Sequence, residues 1–78
     1  MKMVTVQWLD SNNYAGWCHV DDERLGFLPV IESCGYLLKE TDKTIAICNS
    51  RCESNEEYCG VTVIPKACCI NIKEVAGE

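Results

Sequence analysis

Aromatic side chains that can bind a small ligand are concentrated in the first half of the chain, at Trp8, Tyr14, Trp17 and Tyr36. An aromatic ring can stack on a nucleobase, and each such contact is worth about 1–3 kcal/mol. A structural role in the core is the alternative for each of these residues. It applies most strongly to Trp8 and Tyr36, which fall inside strand-like patterns.

Polar side chains accompany the aromatic residues. Those of residues 10–13 can hydrogen-bond a ribose or a base edge, although the same cluster can simply close a turn through bonds to its own backbone. Lys66, after Pro65, can meet a phosphate beside the amides of a tight turn, or it can be an ordinary solvated lysine. The predicted ligand-binding residues are Trp8, Asp10, Ser11, Asn12, Tyr14, Trp17, Tyr36 and Lys66.

No catalytic motif is present in the sequence. Cys18 and His19 are adjacent, so they cannot easily orient as nucleophile and base. The acidic residues 21–23 are more typical of a helix start than of an active site. Metalloprotease, P-loop and serine-hydrolase patterns are all missing. We therefore predict that the protein is not an enzyme.

Seven cysteines suggest either disulfides, a metal site or reduced thiols. The odd count and the absence of a secretory signal weaken the disulfide interpretation. Cys48 and Cys52 have the spacing of half a zinc site, but Cys68 and Cys69 are adjacent and would point to opposite faces of a strand. Several cysteines, including Cys34, occupy small apolar positions. These observations favour reduced, structural thiols with no metal and no cofactor.

Length and charge restrict the classes of function. Seventy-eight residues predict a single domain, 1–78, whose core is marginal and which therefore gains from homo-oligomerisation. The net charge of −5 and the scattered basic residues argue against binding to DNA or RNA polymers. No apolar run is long enough to span a membrane. We expect a soluble, cytoplasmic protein with no membrane partner.

The alternation of apolar residues predicts five short strands. The predicted strands are residues 3–9, 33–40, 44–49 and 61–64, and a fifth that starts at Ile70 with Ile70 and Ile72 on the core side. A short helical turn, capped by Asp21 or Asp22 and stopped by Gly26, lies between the first two strands. Residues 50–58 are predicted to form a long solvated loop, and residues 66–68 a tight turn. Pro65 ends the fourth strand because it cannot donate to a sheet ladder.

This arrangement predicts an all-β fold, namely a small five-stranded barrel of the SH3-like or Sm-like type. The rapid succession of strand four, a tight turn and strand five is its most specific feature. An open meander is the alternative, and an OB-fold is less favoured because it usually has longer strands.

Several short motifs along nearly the whole chain resemble a widespread group of short phage and prophage proteins. The motifs are Val6-x-Trp8-x-Asp10-Ser11, Gly16-Trp17, Ser33-x-Gly35-Tyr36-Leu37, Glu40-Thr41-Asp42 and Ile64-Pro65-Lys66-x-x-x-Ile70. The cysteine content departs from that group, in which small apolar residues stand at several of these positions. The last two strands are also similar in pattern to Sm-like proteins, including Hfq, but without an RNA-binding signature.

The phage resemblance suggests a function in immune evasion. In size and style the chain is similar to sponge proteins, which sequester the nucleotide signals of bacterial defence systems such as CBASS and Thoeris and leave the ligand intact. The resemblance thus implies a homo-oligomer in the host cytosol that binds a cyclic oligonucleotide or an ADP-ribose derivative. The main alternative is a protein–protein interaction module that inhibits a host protein. A structural or assembly role is the next alternative.

Overall fold

The computed structural model describes residues 1–75 and has an all-β fold, as predicted. Its five strands form one antiparallel sheet in the order β4-β3-β2-β1-β5. The strands are β1 (Met3–Leu9), β2 (Val30–Glu40), β3 (Thr44–Cys52), β4 (Glu57–Pro65) and β5 (Cys69–Glu74). Two 3-10 turns complete the fold, Glu23–Gly26 between β1 and β2 and Lys66–Cys68 between β4 and β5.

The strand β2 is shared between two neighbours and organises the sheet. Its first half pairs with β1, from Val30 to Tyr36, and its second half pairs with β3, from Tyr36 to Glu40. Gly35 lies where β2 passes from one neighbour to the other. A Cβ atom there would overlap the backbone carbonyl oxygen of Cys48, so glycine permits the close approach of β3.

The core is small and lies on one face of the sheet. It is formed by Val4, Val6, Ile45, Ile47 and Ile64, which are buried. Ile45 and Ile64 face each other across the β3–β4 ladder and are both fully buried. Four partly buried residues pack around this cluster, namely Trp8, Leu37, Cys69 and Ile72. The period-2 alternation of β1 and β3 thus places their apolar side chains as the sequence predicts.

The prediction of a long loop at residues 50–58 is wrong. The strands β3 and β4 continue through most of this segment as a hairpin, in which Arg51 pairs with Tyr58 and Cys52 with Glu57. All of residues 49–60 are exposed, and we call them the β3–β4 arm. Both faces of the arm meet solvent, so its strands lack the apolar alternation that marks a strand in the sequence.

The bounds of two other strands also differ from the prediction. The strand β2 begins at Val30 rather than at residue 33, and β5 begins at Cys69. Ile70 is not a core residue, because it is 54% exposed. Trp8 pairs with Cys69 and Gln7 with Asn71, so Ile70 is the extra residue of a β-bulge.

The sheet is open in the described residues. The strands β4 and β5 are its two edges and do not pair with each other, so closure into a barrel stays a prediction. The Cα radius of gyration is 15.9 Å, whereas a compact domain of this length has about 11.5 Å. The arm and the connection between β1 and β2 project from the small core. Within residues 1–75, no helix has the length and hydrophobicity needed to cross a membrane.

Candidate binding loop between the first two strands

The connection between β1 and β2, residues 10–29, is the most unusual part of the fold. Most connections in small domains are much shorter, and loops of this length are commonly functional. Its base is closed by a hydrogen bond in which the Asp10 backbone N–H donates to the Pro29 carbonyl oxygen at 3.1 Å. We call residues 10–29 the binding loop.

A network of four side chains holds the binding loop together. Asp22 is the N-cap of the 3-10 turn and accepts a 2.9 Å hydrogen bond from the Arg24 backbone N–H. The Arg24 guanidinium also pairs with the Asp22 carboxylate at 2.7 Å and lies 4.5 Å from the centre of the Tyr14 ring. Tyr14 in turn accepts a 2.9 Å hydrogen bond from the side-chain amide of Asn12. These contacts connect the first half of the loop to the second.

The hydrogen bonds to Arg24 change the protonation equilibrium of Asp22. Those from the Arg24 side chain and backbone lower the pKa of the Asp22 carboxyl to about 2, because they stabilise its ionised form. The same pairing raises the pKa of Arg24 above its ordinary value. Asp22 and Arg24 therefore form a fully charged pair at neutral pH.

The adjacent Cys18 and His19 are both exposed in the binding loop. His19 Nδ1 accepts a 3.3 Å hydrogen bond from the Asp21 backbone N–H, and the His19 carbonyl oxygen accepts one from Asp22. His19 thus closes a turn on the surface of the loop. Among residues 1–75, no three His, Cys, Asp or Glu side chains come together in a way that could hold a metal ion.

Large apolar side chains cover the outside of the binding loop. Trp17 is fully exposed, and so it is not a core residue. It follows Gly16, whose φ of 90° is readily adopted by glycine but rarely by other residues. This conformation sets the direction of the chain at Trp17. The other exposed apolar residues of the loop are Val20, Leu25, Phe27 and Leu28. A loop with this much exposed apolar surface is typical of an interaction site.

Five of the predicted site residues lie together in the binding loop. Trp17 and the side chains of Ser11 and Asn12 are exposed, and Tyr14 belongs to the network with Arg24. Asp10 has a local role, because its carboxylate accepts a 2.8 Å hydrogen bond from the Ser11 backbone N–H.

The remaining three predicted site residues lie elsewhere. Trp8 packs against the core, and its Nε1–H donates a 3.1 Å hydrogen bond to the Ser33 hydroxyl. Lys66 forms an ion pair with Glu40 at the turn between β2 and β3. Tyr36 pairs with Met3, at the far end of β1 from the binding loop. Seven residues of strand separate it from the loop, a distance of about 20 Å.

A shallow pocket lies at the base of the binding loop. Leu9, Asp10, Ser11 and Leu28 line one side of it, and Ala67 and Cys68 of the second 3-10 turn line the other. Lys66 itself points to Glu40 rather than into this pocket. The start of the binding loop and the second 3-10 turn therefore meet through the neighbours of Lys66.

Two features of the binding loop were missed from the sequence. The first is Arg24, whose position two residues after the capping Asp22 could have suggested a local ion pair. The second is the apolar segment of Leu25, Phe27 and Leu28, which lies next to Pro29 and outside any strand. Apolar residues in such a place, with no element to bury them, are the signal that could have identified an interaction surface.

The cysteines lie in different environments. Cys48 is buried, Cys68 and Cys69 are half-buried, and Cys34 is exposed rather than apolar core as expected. The pKa of the Cys69 thiol is raised by burial. The pKa of Cys52, in the arm, is lowered by hydrogen bonds from Ser54. Whether the thiols are reduced in the cell stays a prediction.

Comparison with known proteins adds no assignment, since no protein-family model matches the chain and no curated protein or solved structure is significantly similar to it. The binding loop and the edges of the sheet are therefore the features from which function is inferred.

Proposed function

We propose that this chain is a non-enzymatic phage protein that binds and sequesters a nucleotide signalling molecule in the cytosol of the host bacterium. The ligand would be a cyclic oligonucleotide or an ADP-ribose derivative, and it would remain unhydrolysed. The single observation that carries this proposal is the fully exposed Trp17 indole on a loop whose two halves are linked by the contact between Arg24 and Tyr14. A large aromatic side chain held in solvent is available to stack on a base.

The surroundings of Trp17 supply further contacts for a nucleotide. Ser11 and Asn12 are exposed near the start of the loop and can bond the polar edges of a base or a ribose. The network of Asp22, Arg24 and Tyr14 orders the loop before the ligand arrives. Preorganisation of this kind lowers the entropic cost of binding.

A complete site requires a second wall, which we propose is provided by a neighbouring copy of the chain. The core is small for an independent domain, and the edges of β4 and β5 carry unpaired backbone groups. Pairing between the edges of neighbouring copies would continue the sheet and give it the curvature of an SH3-like or Sm-like barrel. The apolar side chains of the loop would then be covered by the neighbour.

A second candidate function is a protein–protein interaction module that inhibits a host protein. The specific observation in its favour is the group of exposed apolar side chains Leu25, Phe27 and Leu28, next to one another in the loop. Apolar surface of this kind is more typical of contact with a protein than with a nucleotide.

The two candidates are separated by testing for a bound nucleotide. Protein purified from bacteria that express a nucleotide-signalling defence system is denatured, and the released small molecules are identified by absorbance ratio and mass spectrometry. A thermal-shift screen against cyclic dinucleotides and ADP-ribose derivatives follows. A ligand at 100 times its Kd stabilises the protein by about 2.7 kcal/mol, which such a screen detects.

Trp17→Ala, purified in parallel, is the control for the nucleotide screen. The proposal expects nucleotide to be retained by the natural chain and lost from this variant. If the natural chain retains no nucleotide and shifts with none, the interaction module becomes the better assignment.

A further inference from the structure

A second group of side chains, at the base of the β3–β4 arm, has the chemistry of an anion site. The Arg51 guanidinium lies 5.1 Å from the centre of the Tyr36 ring. Within residues 1–75, the ion pairs involve His19, Arg24 and Lys66 but not Arg51. The aromatic ring therefore orients the planar Arg51 guanidinium, and no ion pair with a carboxylate of the described residues occupies its N–H donors.

The register of β2 places this group on the face of the sheet away from the core. Leu37 packs against the core, and side chains alternate along a strand, so the neighbouring Tyr36 faces the other way. Because the Arg51 guanidinium lies over the Tyr36 ring, it is on that outer face as well. The cleft therefore lies outside the core, where β3 enters the exposed arm.

The position of Asn49 depends on Gly60, across the hairpin. Gly60 has a φ of 68°, and a Cβ atom there would overlap the carboxamide of Asn49. The amide therefore lies over the glycine backbone. A glycine with positive φ that accommodates a polar side chain indicates a specific arrangement rather than a free loop.

We propose that this cleft binds a small organic phosphate such as a sugar phosphate. Its lining residues are Tyr36, Asn49, Ser50, Arg51, Cys52 and Glu53. Arg51 would donate two hydrogen bonds to the phosphate, with Tyr36 holding its plane. Asn49 and Ser50 would donate to remaining oxygens, and Glu53 would accept from sugar hydroxyls. Glu53 and the net charge of −5 oppose a polyanion, so the ligand is small.

This site is distinct from the binding loop and does not depend on the function proposed for that loop. Tyr36 and the loop are at opposite ends of β1, about 20 Å apart. A small ligand cannot reach both within one chain.

The test is calorimetric titration of the full chain with ribose 5-phosphate, inorganic phosphate and uncharged ribose. Ribose 5-phosphate is expected to bind, inorganic phosphate to bind more weakly and ribose not to bind. Backbone amide NMR signals of residues 49–53 should shift, while those of the binding loop should not. Equal affinity for the two phosphates would show that the sugar contacts are wrong, and no binding of either would overturn the site.

Two variants with the same change of charge show whether Arg51 acts specifically. Arg51→Gln should bind ribose 5-phosphate about tenfold more weakly or worse, since hydrogen bonds to charged groups are among the strongest. Lys73→Gln removes one positive charge from the exposed face of β5 and should change the affinity less than about twofold. Equal losses in both variants would mean general electrostatic attraction and would overturn the proposal. Because Arg51 is exposed, the variant is expected to fold.

Discussion

Arg24 lies 4.5 Å from the centre of the Tyr14 ring and is paired with Asp22 at the same time. Tyr14 is in the first half of the binding loop and Arg24 is in the second. A single side chain therefore crosslinks the two halves of a loop that has almost no buried residue. The exposed Trp17 lies between Tyr14 and Arg24 in sequence, so its position depends on the contact between those two side chains.

Replacing Arg24 should loosen the binding loop without unfolding the sheet. Arg24→Gln removes both the ion pair and the contact with Tyr14, while the core lies elsewhere. We expect faster proteolytic cleavage within residues 10–29, weaker nucleotide binding and a nearly unchanged melting temperature. Limited proteolysis with mass spectrometry measures the first effect. Lys73→Gln is the matched control for charge, and equal cleavage in the two variants would contradict the crosslinking role.

The order of the loop should depend on pH through Asp22. Its pKa is lowered to about 2 in the folded protein, against an ordinary value of about 3.9. The contribution of the ionised Asp22 to the order of the loop is therefore complete above about pH 4 and is lost as the pH falls towards 2. Hydrogen exchange of the loop amides across this range measures the loss.

In Asp22→Asn the backbone amides of the loop should already exchange fast at pH 5, because a side-chain carboxamide cannot form a charged pair with Arg24. Asp42→Asn, in the turn between β2 and β3, should leave loop exchange as it is. Fast exchange in both variants would mean that the pair of Asp22 and Arg24 does not order the loop.

The two tryptophans should respond to substitution in opposite ways. Trp17→Ala is expected to weaken nucleotide binding at least tenfold, because stacking is worth about 1–3 kcal/mol, with no effect on the melting temperature. Trp8→Ala should destabilise the fold by about 3 kcal/mol, because it leaves a gap beside the core. Urea unfolding and ligand titration of both variants measure the difference. Unfolding of Trp17→Ala would show that the indole is buried in the protein as it exists in solution.

The cysteines should differ in their rate of alkylation. A thiol count under denaturing conditions should approach seven, the number in the sequence. In the folded protein the exposed Cys52, with its lowered pKa, should react before Cys69, whose pKa is raised by burial. Mass spectrometry after brief treatment with iodoacetamide near pH 7 identifies the order. Loss of folding on metal chelation would contradict the expected metal-free state.

Self-association should depend on the edge of β4. Light scattering is expected to show a mass well above the 8.7 kDa of one chain. Val63→Lys places a charge on an edge strand and should reduce that mass, since edge lysines oppose strand pairing. Gln7→Lys is the control for charge, because Gln7 pairs with β2 on one side and with β5 on the other and so lies inside the sheet. A monomeric natural chain at micromolar concentration would exclude a site shared between copies.

Local chemistry was enough to predict several boundaries of the fold. The alternation of Met3–Leu9 marks β1 to the residue, and Pro65 ends β4 because it has no N–H for the ladder. Of the two predicted caps, Asp22 is the one that caps the 3-10 turn, and the turn ends at Gly26 as predicted. In each case the cause lies within a few residues of the chain, so the sequence carries it.

The arm and the bulge could not be predicted, because their causes lie on other strands. The arm is a hairpin held by backbone pairing, with polar side chains on both faces. Strands of this kind have no alternation of apolar and polar residues, so the sequence pattern does not reveal them. Ile70 has the sequence pattern of a core residue, but the register shift against β1 leaves it without a partner.

The same limit applies to the candidate sites. Trp8 and Trp17 are both candidate ligand contacts in the sequence, although a core role is indicated more strongly for Trp8. The sheet decides between the two roles by packing Trp8 against the core and leaving Trp17 in solvent. Tyr36 was grouped with the loop residues, but the length of β1 separates them and brings Tyr36 to Arg51 instead. The residue types, and so the chemistry available for binding, can be known from the chain alone. Their grouping depends on strand register, which is set by contacts between residues far apart in sequence.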